Sequence, residues 1–308
     1  MAIKKFALLG LDNAGKTSVW TAFREKFHYE EKVRALTPTM SVAYSRFNFL
    51  NHSVSIWDMG GQIRFRNRYV QHAEYYLADV DLIFYVIDVQ DPDRFEESLE
   101  YVTSVFNYLI SINHVVPVLL CFHKCDPGLV DASTIDSVIE RWQERLSELF
   151  PGWYFVVAET SIYDAQSIVR AMSFAMSLFL PTVEEVGEVL NNLRGRTDAY
   201  CVLLLTASGE ILGEAYAGGF GPDQQAEVFN VVRECLAPFH ESRERRELAK
   251  RENGLLSFGR FKGYEHAGAF LGERYFLDAM VPASEVPSFR QLLPSVSRQL
   301  TQLLEDVR

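Results

Sequence analysis

Short apolar runs alternate with longer amphipathic stretches over the first 180 residues of the chain. This alternation predicts an α/β fold, in which β-α units build a mainly parallel sheet with helices on both faces. Asn51 and His52 form a turn of hairpin length, so the second and third strands are expected to pair antiparallel. The six predicted strands are residues 5–9, 42–50, 53–58, 82–89, 116–123 and 154–159.

Helices are predicted after most of these strands, at residues 18–27, 91–112, 131–150 and 164–180. In the second of these segments, apolar residues recur at helical spacing, so that one face should pack on the sheet. The apolar residues of that face are Phe95, Leu99, Val102, Phe106, Leu109 and Ile110.

A different pattern begins after Pro181, which ends the first block. It predicts an α/β domain at residues 1–180 and a smaller α+β domain at residues 181–308. The first helix of the second domain should end in a polar break, and Pro294 should kink or restart its last helix. The other expected features are the polar break at residues 194–198, a β-hairpin at 200–217, a helix at 223–239 and two or three strands between 255 and 280.

The net charge of −11 limits the partners that the chain is expected to bind. Nucleic acids and anionic membrane surfaces attract basic faces, so neither is an expected direct partner. The longest apolar runs fall short of the ~20 residues that a membrane-spanning helix needs, and no signal peptide or lipidation motif is visible. The four scattered cysteines suit free thiols. A cytoplasmic protein is therefore expected.

Residues 10–17, Gly-Leu-Asp-Asn-Ala-Gly-Lys-Thr, have the G-x-x-x-x-G-K-[ST] spacing of a phosphate-binding loop between a strand and a helix. Such glycines let successive backbone N–H groups turn toward phosphate oxygens, and the helix that follows adds the positive end of its dipole. Lys16 is expected to reach the β- and γ-phosphates, and the Thr17 hydroxyl to bind Mg²⁺. The nucleotide-binding residues predicted here are Asp12, Asn13, Ala14, Gly15, Lys16, Thr17 and Ser18.

Two later residues have the order and position that the Mg²⁺ ligands of a guanine-nucleotide switch need. Thr39 should give Mg²⁺ a second hydroxyl and contact the γ-phosphate through its backbone, with Thr37 as the competing candidate. Asp58 ends the third predicted strand and should hold Mg²⁺ through water, although an Asp before two glycines could also cap a turn.

The segment after Asp58 is expected to act on the γ-phosphate. We expect the Gly60 N–H to contact this phosphate, Gly61 to belong to the nucleotide-binding set, and Gln62 to be the catalytic residue that orients the attacking water. No arginine of the chain is an evident participant in hydrolysis, and charged residues in such segments are usually solvated or partner-facing. The segments around residues 28–39 and 60–76 are expected to move when the γ-phosphate leaves, and the arginines in or near them are Arg34, Arg64 and Arg66.

A third group of residues should bind the base. Asp126 is expected to accept hydrogen bonds from two guanine nitrogens that adenine does not present in that arrangement, beside His123 and Lys124. Lys124 should lie along the base and the phosphate loop. Ser161 and Ile162, after the sixth predicted strand, should bring a backbone N–H near the guanine O6. These motifs predict GTP or GDP with Mg²⁺ as the ligands.

In this order, the motifs of the first 180 residues resemble those of a Ras-superfamily small GTPase. The phosphate loop and the segment Trp-Asp-Met-Gly-Gly-Gln resemble the Arf-like branch and its Rag relatives. His123 is similar to the His-Lys-x-Asp of Rag GTPases, where most of the superfamily has Asn, and Asp12 stands where Ras has Gly. The element order of residues 183–308 resembles a roadblock-type, longin-like domain.

The resemblance implies a switch that binds GTP, hydrolyses it slowly without a GTPase-activating partner, and signals to effector proteins. A roadblock-type domain implies a homo- or heterodimer, for which the helix at 223–239 is the candidate interface. Rag proteins reach membranes only through partners. The alternatives are a nucleotide-loaded scaffold that does not hydrolyse GTP, an Arf-like GTPase with an unrelated C-terminal domain, and a P-loop ATPase or kinase.

Overall fold

The computed structural model describes residues 3–25, 29–49, 52–178, 182–206, 209–218, 264–271 and 275–305, together with Gln225 and Val228. The chain divides into two compact units, Met1–Leu178 and Phe179–Arg308. Most of the helix expected at 223–239, and all of the chain from 255 to 263, lie outside the described residues.

One six-stranded sheet organises the first unit, in the order β2-β3-β1-β4-β5-β6. β2 pairs antiparallel with β3, and the other neighbours pair in parallel, as the apolar pattern predicts. Parallel strands carry continuous apolar runs because both faces of the sheet are covered. The strands are β1 (Lys4–Gly10), β2 (Val42–Phe49), β3 (His52–Met59), β4 (Leu82–Asp88), β5 (Val118–His123) and β6 (Phe155–Thr160).

Helices cover this sheet. Successive side chains of β1 point to opposite faces of the sheet. Ala7 joins the core cluster that contains Phe106 and Trp142, while Phe6 stacks on Phe84 at 5.7 Å between ring centroids. The helix that begins at Ala132 has a standard N-cap, in which the Asp131 carboxylate accepts the Thr134 N–H. The helices are α1 (Lys16–Glu25), α2 (Tyr29–Arg34), α3 (Ile63–Gln71), α4 (Ala73–Tyr76), α5 (Phe95–Ser111), α6 (Ala132–Leu149) and α7 (Ala165–Ser177).

The second unit contains an antiparallel sheet whose described strands follow the order β8-β7-β10-β9. A helix crosses this sheet closely at Gly213, where an added Cβ would lie 2.9 Å from side-chain atoms of Val186 and Leu190. The predicted hairpin is therefore present and packed. The elements are α8 (Thr182–Arg196), β7 (Cys201–Thr206), β8 (Ile211–Tyr216), β9 (Tyr264–Leu271), β10 (Tyr275–Pro282) and α9 (Val286–Glu305).

One expectation about a helix end in this unit is wrong. α8 continues through Arg196, so the polar segment at 194–198 is largely helical. α9 runs through Pro294 as one helix, so it does not restart there, and the alternative of a kink at this proline stays a prediction. Proline removes one backbone hydrogen bond, but Phe289, Leu293 and Val296 are buried on the same helix, and their packing holds the segment helical.

Candidate nucleotide-binding site

The loop between β1 and α1 has the curled backbone that phosphate binding requires. Gly10 and Gly15 have φ values of +139° and +94°, which only glycine adopts readily. The Lys16 ammonium lies across the loop and donates to the carbonyl oxygens of Gly10 at 3.0 Å and Leu11 at 2.6 Å. Burial lowers the pKa of Lys16 to about 8, against the opposing effect of Asp58. The lysine is therefore a buried cation.

This loop forms one wall of a cavity of about 440 Å³, within the range of small-molecule sites. The cavity brings together residues from four separated loops. Ala14 and Ser161 are buried beside it and do not line it. Its lining residues are Asp12, Asn13, Gly15, Lys16, Thr17, Ser18, Val33, Leu36, Thr37, Pro38, Thr39, Gly61, Gln62, His123, Lys124, Asp126, Ile162 and Tyr163.

The three predicted metal ligands meet beside Lys16. The Thr17 hydroxyl donates to Asp58 Oδ2 at 2.6 Å and lies 2.8 Å from the Thr39 hydroxyl, which is 3.4 Å from the same carboxylate oxygen. Thr39 thus joins the cluster, whereas Thr37, its competitor, lines the cavity.

The chemistry of this cluster suits a hard cation. Within the described part of the chain, the buried Asp58 Oδ1 has no hydrogen-bond partner, and burial raises the pKa of this carboxyl. A carboxylate with one free oxygen beside two hydroxyls matches the oxygen ligands that Mg²⁺ takes. The described residues contain no cluster of three His, Cys, Asp or Glu side chains, and this set contributes one carboxylate.

Gly60 does not take the place expected for it. Its N–H donates to the Ser41 carbonyl at 2.7 Å, which prolongs the pairing of β2 with β3 beyond Met59. This N–H is therefore already bonded and does not face the cavity. Gly61 and Gln62 line the cavity instead, immediately before α3. A Cβ on Gly61 would lie 2.2 Å from the Asp12 nitrogen, so the two loops touch at this glycine.

At the opposite end of the cavity, Asp126 is held by two side chains. Ser161 donates its hydroxyl to Oδ1 at 2.6 Å, and Gln90 donates its amide to Oδ2 at 2.9 Å. Lys124 pairs with Asp88 at 2.6 Å. Gln90 escaped the sequence analysis, although its place just after β4, which pairs with β5, could have indicated it.

His123 is packed between the phosphate loop and β6. Its Nδ1 lies 2.9 Å from the Thr160 hydroxyl. Its ring lies against Gly15, where an added Cβ would be 2.3 Å from the histidine Cδ2. Burial lowers the pKa of His123 to about 4, so the ring is neutral at pH 7. The histidine therefore acts as an uncharged spacer beneath the loop.

The expectation of a solvated or partner-facing side chain is wrong for Arg66. Arg66 is buried and donates to the Gly61 carbonyl at 2.7 Å. Arg94, which the sequence analysis missed, donates to the Asp12 carboxylate at 2.7 Å. Both arginines therefore contact backbone or side chains at the edge of the cavity.

The site combines a phosphate loop, an oxygen cluster for a cation and a carboxylate at the far end of the cavity, all on a mainly parallel sheet. These features define a small GTPase of the Rag and Arf type. Residues 5–216 match the Gtr1/RagA G protein conserved region. The chain belongs to the Gtr1/RagA G-protein family.

Individual relatives match parts of the chain. The chain is 33% identical over 147 residues to ADP-ribosylation factor-like protein 8c of Arabidopsis thaliana, covering 44% of this chain and 73% of that protein. It is 39% identical over 92 residues to ADP-ribosylation factor-like protein 13B of Chlamydomonas reinhardtii, covering 30% of this chain but only 16% of that protein. The solved Arl6 BBS3 small GTPase of Trypanosoma brucei, with bound GppNp, matches 57% of this chain and 96% of that chain, at 21% identity and a TM-score of 0.43.

Each helix in the described part of the chain is too short or too polar to cross a bilayer.

Proposed function

We propose that this protein is a molecular switch that binds GTP with Mg²⁺ and hydrolyses it to GDP and phosphate. The observation that carries the proposal is the convergence of Lys16, the Thr17–Thr39–Asp58 cluster and Asp126 on one cavity. A buried cation and an oxygen cluster at one end suit a triphosphate with its metal. A fixed carboxylate at the other end suits the two hydrogen-bond donors of guanine.

In this proposal Thr17, Thr39 and Asp58 would hold Mg²⁺, and the ion would supply positive charge that neutralises the developing charge on the phosphates. Lys16 turns its ammonium from the loop carbonyls to the phosphate oxygens. Gln62 holds the attacking water in line with the γ-phosphorus. Hydrolysis then depends on positioning and charge stabilisation, with no covalent intermediate.

We propose that hydrolysis is slow until a GTPase-activating partner binds. Arg66 and Arg94, the arginines that contact Gly61 and Asp12, are already bonded to those residues and are not poised over the cavity. A partner would have to supply the charge that stabilises the transition state.

Effector and regulator binding would use an aromatic surface beside the two segments that are proposed to move, around residues 28–39 and 60–76. Tyr44, Trp57 and Tyr75 lie in mutual contact, with ring centroids 4.7 and 6.2 Å apart, and Tyr44 and Tyr75 are more than half exposed. Exposed aromatic clusters commonly mark protein interfaces. The surface joins β2, β3 and α4, so movement of the segments around 28–39 and 60–76 on loss of the γ-phosphate would reshape it.

We propose residues 181–308 as a roadblock-like domain that pairs the protein with itself or with a related subunit. The family supports this role, as does the α+β order of the second unit. We further propose a cytoplasmic location, with membranes reached through partners.

The test begins with the nucleotide. Protein purified without added nucleotide is denatured, and the released ligand is identified by chromatography; guanine nucleotide is expected, and adenine nucleotide would instead indicate a P-loop ATPase or kinase. A single-turnover assay with Mg²⁺ and GTP then measures phosphate release. Guanine binding without hydrolysis, alone and after addition of cell extract containing activating proteins, would indicate a nucleotide-loaded scaffold.

A further inference from the structure

A carboxylate on α5 joins the two loops that surround the γ-phosphate end of the cavity. Glu97 accepts from Arg66 through Oε1 and from Arg94 through both oxygens, at 3.2 Å to Oε1 and 2.7 Å to Oε2. One acidic side chain therefore binds two guanidinium groups that arrive from different segments of the chain.

Each arginine continues to a loop of the cavity. Arg66 donates its Nε–H to the Gly61 carbonyl at 2.7 Å, directly before Gln62. Arg94 donates to the Asp12 carboxylate at 2.7 Å and to the Asp12 carbonyl at 3.2 Å. The chain of contacts runs from the residue before the proposed catalytic glutamine, through Glu97, to the phosphate loop.

The network is built mainly from charged groups that are partly shielded from water. Arg66 has a side chain only 7% exposed, and it also lies with its guanidinium 5.4 Å from the Tyr101 ring centroid. The hydrogen bonds from Arg94, followed by those from Arg66, hold the pKa of Glu97 below its usual value, so the carboxylate is ionised at pH 7. Charge-assisted and forked arginine contacts of this kind fix geometry more tightly than single neutral hydrogen bonds.

We propose that Glu97 is a positioning residue for GTP hydrolysis, because it sets the distance between the loop that carries Gln62 and the phosphate loop. The inference rests on the proposed hydrolase function and adds a residue that does not line the cavity. Arg94, held by Glu97, also turns the Asp12 carboxylate toward itself, so that this negative charge is compensated beside a bound triphosphate.

The experiment replaces Glu97 by Gln. Glutamine keeps the size of the side chain but has no negative charge to pair with the two guanidinium groups. The matched control is Glu96→Gln, one residue earlier on α5, where the glutamate is exposed and pairs with Arg141 at 2.9 Å. Both variants are prepared as the full chain. The measurements are affinity for GDP and GTP, single-turnover hydrolysis of bound GTP, melting temperature, and the ³¹P resonance of the γ-phosphate of a bound non-hydrolysable GTP analogue.

Glu97→Gln is expected to slow hydrolysis at least about tenfold, because a small misplacement of a reacting group costs that much or more. Nucleotide affinity should stay within about threefold of the wild-type value, since the phosphate and base contacts remain. The γ-phosphate resonance should shift in this variant and not in Glu96→Gln. If Glu97→Gln proves too unstable to purify, Arg94→Lys replaces it, because lysine keeps the positive charge but lacks the two-pronged guanidinium. This variant should also hydrolyse GTP more slowly while its nucleotide affinity stays within about threefold of the wild-type value.

Three results would overturn the inference. Hydrolysis at the wild-type rate in Glu97→Gln would remove Glu97 from the reaction, and an equal loss in Glu96→Gln would make the effect one of α5 surface charge. A loss of affinity and melting temperature in proportion to the rate would make Glu97 a structural residue. Failure of the wild-type protein to hydrolyse GTP would instead overturn the proposed function, and the inference with it.

Discussion

Two motifs of the site lie in close contact at Gly15, where the phosphate loop lies on the His123 ring. We predict that Gly15→Ala abolishes measurable nucleotide binding, because a methyl group would lie 2.3 Å from the ring and alanine is strained at φ +94°. Titration with a fluorescent GDP analogue measures the effect. Gly128→Ala is the control, since Gly128 has φ +77° but nothing within 4 Å of an added Cβ. Equal losses in both variants would make strain, and not contact with His123, the cause.

The base end of the cavity depends on the acceptor character of Asp126. We predict that Asp126→Asn weakens GTP binding at least about a hundredfold, because the mutation replaces an anionic acceptor of two guanine hydrogen bonds, and that preference shifts toward xanthine nucleotides. Competition binding with GTP and XTP measures both effects. Asp136→Asn, at an exposed aspartate of α6, should change neither affinity. Unchanged GTP affinity in Asp126→Asn would contradict the assigned base pocket.

Gln62 lies at the start of α3 without a side-chain capping bond, so its amide is free of a structural role at that helix end. We predict that Gln62→Leu lowers the single-turnover rate about tenfold or more and leaves GDP and GTP affinity unchanged, because it removes only the group that orients water. Phosphate release from preloaded protein provides the measurement. Turnover equal to that of the wild type would remove Gln62 from the mechanism.

At the scale of elements, the buried strands were the most predictable part of the fold. β4 and β5 are almost entirely apolar and β1 is apolar after Lys5. Both faces of each strand are covered, so their positions follow from the sequence within a few residues. Their carboxyl ends meet at one edge of the sheet, which explains why motifs from separate loops could be placed together before the structure was known.

The residues that escaped prediction lie between β4 and α5 or in the first turn of α5, and they act by bonding to other segments of the chain. Gln90, Arg94 and Glu97 belong to no motif, and their partners Asp126, Asp12 and Arg66 are distant in sequence. The Gly60 N–H was misjudged because the sequence does not show how far β2 and β3 remain paired. Contacts of this kind depend on register and tertiary packing, which a local pattern does not specify.

In the second unit, β10 carries a buried carboxyl that makes the stability of the element depend on pH. Burial raises the pKa of Asp278 to about 8, whereas an unfolded aspartate titrates near about 3.9. Its neutral form is favoured in the fold, so its contribution to stability is complete below about pH 4 and is lost as the pH rises toward 8.

We therefore predict that Asp278→Asn raises the melting temperature of the second unit at pH 8.5, and that the difference from wild type shrinks as the pH falls to 5. Differential scanning calorimetry of the full chain between these pH values measures it. Asp198→Asn, at an exposed position of the same unit, should leave the difference near zero throughout. A pH-independent effect of Asp278→Asn would show that the carboxyl is not titrating in the fold.

At the scale of the whole molecule, each compact unit has a separate task in the proposed function. The first contains every predicted nucleotide-binding residue, and the second contains none. Within the described part of the second unit, β8 and β9 are the outer strands of the sheet, and outer strands expose backbone groups that can pair with another chain. Self-association, where it occurs, should therefore depend on the second unit and not on the bound nucleotide.

We predict that the full chain elutes at twice its monomer mass, with either GDP or a non-hydrolysable GTP analogue, whereas residues 1–178 elute as a monomer that still binds nucleotide. Size-exclusion chromatography with light scattering measures both masses. The shorter chain is its own control for folding, because retained nucleotide shows that the site is intact. Dimers of the shorter chain would move the interface to the first unit, and monomers of both chains would exclude self-pairing and leave a different subunit as the partner.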